Sequence, residues 1–444
     1  MPDRPAPAAD PARLAAYELL RAVDEQDAYA NLALPRLLES RHVTGRDAAL
    51  ATELGYGTLR STGTLDVILA RCTDRPFADV EPGVRDLLRL GAYQVLRTRI
   101  PPHAAVTTTV DLARGVGLRR AGGFVNAVLR RVAAVDWDGW LAEITEGVEP
   151  AHALALRTAH PDWIVAAFDA ALGGDPAETE RALAADDERP STHLVAWPGR
   201  IQRDELLAAV SGEPGPYSPY AVRMHGGDPA TVPAIRDGRA GVQDEGSQLC
   251  AAALAAAPLA GRDERWLDLC AGPGGKAALL AALAAGRGAQ LTANELREHR
   301  AELVRRITKP WGVDVRVGDG RSFAAVDGGY DRVLVDAPCT GLGALRRRPE
   351  ARWRRRPDDV ADLVELQREL LASALRVVRP GGLVAYVTCS PHPAETTEVV
   401  AGHSLHDVRP AFAGVPDLGA GPTVQLWPHR HGTDAMFCAL IRRV

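Results

Sequence analysis

The sequence predicts a multidomain chain. An all-α N-terminal domain is expected over 10–136, a small mixed α/β domain over 145–235, and a C-terminal α/β domain over 236–444 with a doubly wound, mostly parallel sheet. Three observations lead there. At 444 residues the chain exceeds what one hydrophobic core usually organises. Apolar residues recur at helical spacing as far as about Val135. Beyond about 240, short apolar runs alternate with helical ones, the pattern of a parallel sheet whose ligands lie at the strands' carboxyl ends.

Taken in order, Met1 to Asp10 is Pro/Ala-rich and lacks the apolar stretch of a secretion signal. Asp10 before Pro11 reads as an N-cap with proline at the first helical position. Ala16, Leu19, Leu20 and Val23 then form one apolar stripe. Further amphipathic runs cover 45–60, 82–97, 104–116 and 121–134. Around Gly122 to Asn126, Arg119, Arg120, Arg130 and Arg131 are either solvated helix turns or a phosphate-contacting face. Between 136 and 240, Trp137, Trp140, Trp163 and Trp197 sit among Pro/Gly-rich segments, with loops at 212–219 and 226–233. Strands are expected at 265–270, 290–295, 313–318, 331–336 and 382–388, and helices at 274–286, 296–309 and 360–378.

Composition narrows the function. The 52 basic and 57 acidic side chains leave a formal charge of −5, which excludes a polybasic protein gripping nucleic acid by bulk charge. Only two of the bases are lysines, Lys276 and Lys309. No run of eighteen apolar residues exists, so no membrane association is expected. The six cysteines show no metal-ligand spacing; no metal is expected, and free thiols point to the cytoplasm.

The segment Asp268-Leu-Cys-Ala-Gly-Pro-Gly-Gly-Lys276 lies where the first strand of the sheet turns into its helix. Its glycines allow close backbone approach to a ligand, and the helix start offers unpaired N–H groups. The same residues satisfy a loose G-x-G-x-x-A, so a dinucleotide oxidoreductase is one reading. Glu295 ends the next strand, where a carboxylate can accept from ribose hydroxyls, and Asp319 ends the third, facing an adenine amino group. Acids at successive strand ends without a pyrophosphate clamp suit a zwitterionic nucleoside such as S-adenosyl-L-methionine.

The fourth strand runs into Asp336-Ala-Pro-Cys339 and the fifth into Thr388-Cys-Ser390, so each is followed by a cysteine beside the expected cofactor. With these motifs in this order, the chain resembles the RNA 5-methylcytosine methyltransferases of the NOL/NOP/Sun family, and within it the RsmB/Sun-type ribosomal RNA group. Phe124-Val-Asn-Ala-Val-Leu-Arg-Arg131 is similar to the NusB-like domain of that group, and Pro349-Glu-Ala-Arg-Trp353 and Asp434-Ala-Met-Phe437 also fit. Ala435 and Thr396 depart from the family's usual glycine and asparagine. The resemblance implies a NusB-like N-terminal domain and a Rossmann-like methyltransferase domain.

Carbon 5 of cytosine is too weak a nucleophile to take a methyl group until a thiolate adds at carbon 6, and a carboxyl at ring nitrogen 3 assists. Spacing leaves both cysteines open as nucleophile. The resemblance assigns attack to Cys389 and product release to Cys339. It places Asp336 at the cytosine and the cofactor methionine, and Lys276 near both. Cofactor contacts follow as Cys270, Ala271, Gly272, Pro273, Gly274, Gly275, Lys276, Glu295, Arg300, Asp319 and Asp336.

Seven arginines lie in residues 345–356, directly after the Cys339 loop, with Trp353 among them; RNA contact and base stacking are expected there. The target cytosine has to be unstacked. The expected function is therefore S-adenosyl-L-methionine-dependent methylation of cytosine in RNA, 16S ribosomal RNA first, by a cytoplasmic monomer. Transfer RNA methylation and a non-catalytic NusB-like RNA-binding factor are the competing readings.

Overall fold

A computed structural model describes residues 10–444; the Pro/Ala-rich start at 1–9 lies outside the described residues. The chain forms two compact units. The first comprises residues up to Asp169, Pro176–Asp187 and Leu345–Arg355. The second comprises Ala170–Asp175, Glu188–Ala344 and Arg356–Val444.

In the first unit, α1 (Pro11–Gln26) starts where the sequence places it: Asp10 Oδ1 accepts from the Arg13 N–H at 2.9 Å. It is followed by α2 (Ala30–Ser40), α3 (Gly45–Arg71), α4 (Pro82–Arg97), α5 (Pro102–Gly115) and α6 (Gly122–Val132). Their apolar stripes meet in a core that includes Leu19, Leu54, Leu65, Ile68, Leu87 and Leu129. Helix α3 outruns its expected end at 60 because Ser61, Thr64, Leu65, Ile68 and Leu69 continue the buried face. Four more helices follow: α7 (Trp137–Thr145), α8 (Pro150–Thr158), α9 (Asp162–Ala171) and α10 (Pro176–Ala185).

These helices correct the expected domain boundaries. The 145–235 segment is not one small α/β domain. Its first part is helical and clusters mainly with the N-terminal unit, whereas its strands belong to the second. Trp140 explains part of the attachment: its ring is buried in the helical core and its indole N–H donates to the Val132 carbonyl at 2.9 Å.

The last piece of the first unit comes from far along the chain. Residues 345–355 include a short helix, Ala351–Arg354, whose side chains turn into the helical core. Trp353 donates to the Leu59 carbonyl at 2.8 Å, and its ring lies so close to Gly63 that a Cβ there would fall 2.3 Å from it. Arg352 is wholly buried; it pairs with Asp187 at 2.7 Å and donates to the carbonyls of Asp186 and Ala159. Arg354 donates to the carbonyls of Val23, Asp27 and Ala28. Glu350 is buried and accepts from the Ala30 N–H. The expected stacking surface at Trp353 is thus an internal packing element, and only Arg348 and Arg356 of the seven arginines are exposed.

The second unit holds two sheets. In the smaller, β1 (Thr192–Ala196), β2 (Gly212–Pro214), β3 (Ala221–Met224) and β4 (Ala240–Val242) pair antiparallel in the order β2-β3-β1-β4, with the short helices α11 (Arg203–Ala208) and α12 (Pro233–Arg236). Helix α13 (Glu245–Ala256) leads into the larger sheet. There β5 (Arg265–Asp268), β6 (Gln290–Glu295), β7 (Asp314–Val317), β8 (Tyr330–Asp336) and β9 (Val378–Thr388) run parallel in the order β7-β6-β5-β8-β9. Three further strands complete it: β10 (Leu405–His406), β11 (Val424–Gln425) and β12 (Phe437–Arg442), the last antiparallel to β9. Strand β8 is buried from Tyr330 to Val335, as a central strand covered on both faces must be. Helix α14 (Gly275–Ala285) is alanine-rich and buried along most of its length; α15 (Glu298–Thr308) follows β6. Strand order reverses between β5 and β8, which opens a crevice at their carboxyl ends. Among the described residues, no helix is long and apolar enough to cross a membrane.

Candidate active site

The switch-point crevice is where the predicted residues gather. Asp268 ends β5, Asp336 ends β8, and Cys389 follows the last residue of β9. Parallel register sets them side by side: Asp268 pairs with Leu334, and Asp336 with Val387.

The glycine loop is held from beneath. The Ala271 N–H donates to the Asn294 carbonyl at 2.8 Å, and the Asn294 side chain donates to the carbonyls of Leu269 and Gly318, both at 3.1 Å. One amide thereby ties the ends of three neighbouring strands. Asn294 was missed at the sequence level because only the fold shows that its two partners, 25 and 24 residues away, share one edge. The Gly272 N–H donates to Glu295 Oε2 at 3.0 Å, and Arg300 donates to the Gly272 carbonyl at 2.6 Å. A Cβ on Gly272 would lie 2.2 Å from Glu295 Oε2, so a side chain there would push the Glu295 carboxylate aside. Gly274 has a φ of 116°, and a Cβ on it would strike Ile307 at 2.5 Å.

Cys270 is half-buried, and its N–H donates to Asp268 Oδ1 at 3.3 Å; Pro273 is exposed. The Asp268 carboxyl is fully buried, and its Oδ2 makes no hydrogen bond. Burial first, and the Asp336 charge second, push its pKa up to about 8, so it is largely protonated at neutral pH. Lys276 donates from Nζ to Asp336 Oδ2 at 2.9 Å. Burial opposes the ammonium charge, but the Asp336 carboxylate outweighs it and holds the group above its usual range. One of the chain's two lysines is therefore an ion-pair partner inside the crevice.

Asp319 lies in the turn after β7. Its carboxylate accepts from the backbone N–H and the guanidinium of Arg321, which hold its pKa below the usual range. It caps the turn at Gly320–Ser322. Beside it the sequence missed two exposed apolar side chains, Leu296 and Val317. Val317 pairs in register with Glu295, and Leu296 is the residue after Glu295, so both flank the ends of β6 and β7.

The two cysteines meet. Cys339 Sγ and Cys389 Sγ are 3.4 Å apart. The thiol of Cys339 is pushed well up, first by its hydrogen bond with Cys389 and then by burial. A thiol that keeps its proton can donate S–H to the neighbouring sulfur and favour the thiolate there. Behind the pair, the Gly343 N–H donates to the Cys389 carbonyl and the Ala435 N–H to the Gly343 carbonyl, which brings Ala435 against the two cysteine loops. Among the described residues no group of His, Cys, Asp and Glu is placed to hold a metal.

Residues 256–442 match the family described as 16S rRNA methyltransferase RsmB/F, and residues 10–134 match the NusB family. Among curated relatives, a putative methyltransferase of Mycobacterium tuberculosis (strain CDC 1551 / Oshkosh) is 55% identical over 98% of this chain and 97% of its own. The probable ribosomal RNA small subunit methyltransferase B of Bacillus subtilis (strain 168) is 32% identical over 96% of this chain and 98% of its own. The crystal structure of PH0851 superposes with a TM-score of 0.79 at 23% identity, over 98% of this chain and 99% of that one, a likeness of fold.

Proposed function

Because the chain belongs to the RsmB/F family of 16S rRNA methyltransferases, we propose that it methylates carbon 5 of a cytosine in small-subunit ribosomal RNA through a covalent bond to Cys389. The observation that carries this reading is the contact of two sulfurs at 3.4 Å beside the Lys276–Asp336 pair.

The glycine loop suits S-adenosyl-L-methionine. A Cβ on Gly272 would displace the Glu295 carboxylate, so glycine leaves that carboxylate in place beside the loop, and the buried Asp268 Oδ2 is left without a donor. Glu295 and the loop from Cys270 to Lys276 would hold the ribose and the amino-acid end, with Leu296 and Val317 against the adenine. When bound, the cofactor supplies an electrophilic methyl group on a sulfonium.

The chain's residues do the rest. Cys389 adds as thiolate to carbon 6 of the cytosine, which turns the ring into an enamine nucleophilic at carbon 5. Asp336, fixed by Lys276, faces ring nitrogen 3 and stabilises the ring as charge develops. Once carbon 5 carries the methyl group, a base takes the carbon 5 proton, the C–H electron pair re-forms the double bond to carbon 6, and the Cys389–carbon bond breaks to return Cys389 as thiolate. Cys339, in contact with Cys389, serves this release.

Two substitutions test the assignment. Cys389→Ala should abolish methyl transfer and any covalent attachment to RNA. Cys339→Ala should let an enzyme–RNA adduct accumulate on denaturing gels. An adduct in Cys389→Ala and none in Cys339→Ala reverses the roles. Bisulfite mapping of ribosomal RNA with and without the gene tests the substrate; an unchanged cytosine map removes the ribosomal assignment.

A further inference from the structure

Glu395 is a buried carboxylate in the turn after β9, at 0% exposure, and it touches both thiol-bearing loops. Its Oε1 accepts from the Thr340 N–H at 2.8 Å and from Gln367 Nε2 at 3.0 Å. Its Oε2 accepts from the hydroxyls of Thr340, at 2.5 Å, and Ser390, at 2.6 Å. Thr340 follows Cys339, and Ser390 follows Cys389. Gln367 adds a second hold on the first loop, donating to the Pro338 carbonyl at 2.9 Å. The turn is itself pinned, since the Tyr386 hydroxyl donates to the Glu395 carbonyl at 2.8 Å.

All four donors to this carboxylate are neutral, and burying a charge on neutral donors is justified only when every acceptor site is used. A carboxylate has the acceptor capacity for four N–H and O–H groups; a glutamine side chain replaces one oxygen with a donor that faces two hydroxyls. We propose that Glu395 is a positioning residue that fixes the Cys339–Cys389 separation and thereby sets the rate of the covalent step. This rests on the reading of Cys339 and Cys389 as the reacting thiols. Glu395 acts through Thr340 and Ser390, the residues that follow the two cysteines.

The sulfur–sulfur separation is measurable without methyl transfer. A diazene oxidant such as diamide takes two protons and two electrons from the thiols, becomes a hydrazine, and leaves a Cys339–Cys389 disulfide; peptide mass spectrometry of the full chain gives its rate. In Glu395→Gln this rate should fall at least tenfold. The kcat for RNA methylation should fall by a similar factor, with KM for RNA changed less than twofold. Thr340→Val and Ser390→Ala, which remove one donor each, should give smaller losses in both readouts, and they decide the matter if Glu395→Gln does not fold. Cross-linking and kcat unchanged in all three variants would overturn the positioning role. Glu395-dependent cross-linking in a chain that methylates no cytosine would instead overturn the function proposed above and leave the geometry standing.

Discussion

Two segments of this chain carry unusual chemistry in their sequences, the glycine loop at 268–276 and the arginine run at 345–356, and both read as ligand contacts. The structure separates them. The loop's polar groups converge on a crevice, where Lys276 pairs with Asp336 and Glu295 receives the Gly272 N–H. The run's central side chains turn inward, where Arg352 and Arg354 satisfy main-chain carbonyls and Trp353 fills the space over Gly63. Charge density alone does not distinguish a binding surface from a packing element; partner geometry does. A guanidinium with five donors can cap several orphaned carbonyls at once, so arginine serves the interior as readily as the surface.

The sharpest way to break the comparison is Arg352→Ala. If the run is structural, the loss of its bond to Asp187 and of three carbonyl contacts should destabilise the chain by about 3–5 kcal/mol, read by urea denaturation. A variant as stable as the parent would return the run to the surface. The loop should behave in the opposite way. Lys276→Met should lower methyl transfer about a hundredfold, roughly 2.7 kcal/mol, with little change in unfolding midpoint.

Asp268→Asn sharpens the electrostatics of the loop. The native carboxyl, with its pKa raised to about 8, binds a proton that the unfolded chain releases near pH 4. Its contribution is fully present below pH 4 and is lost as pH rises through 8, with a slope of up to about 1.4 kcal/mol per pH unit. The asparagine variant should be flatter over pH 4–8 by that slope; identical slopes would place the ionisation elsewhere. The smallest effect belongs to the exposed Arg348: alanine there should change stability by less than about 0.5 kcal/mol.

Much of the C-terminal half was legible because its signals are local. Strands β5 to β9 fall close to the apolar runs that predict them, and the acids and cysteines sit at strand ends that the alternation itself locates. Three kinds of feature were not legible. Helices α7 to α10 are short, nine or ten residues each, so their periodicity is weak, and their membership in a unit depends on distant packing. The pairing of Asp319 with Arg321 was not visible, because a sequence does not show that a side chain two residues on folds back. Glu395 and Thr340 are 55 residues apart, and no pattern in the chain announces that one carboxylate joins two loops.

The detour of residues 345–355 into the helical unit has a consequence for synthesis. After Asp187 the ribosome has to add another 168 residues, 355 minus 187, before the last piece of that unit exists. At about 5–20 residues per second this takes roughly 8–34 s. Throughout that interval the nascent helices lack the indole that covers Gly63 and the guanidinium that caps Asp187, and they wait as an unfinished bundle. The loop bearing Cys339 is translated just before the segment that ends the wait, so birth order places completion of the helical unit after the loop it follows, and a chain terminated before residue 345 would leave both units incomplete.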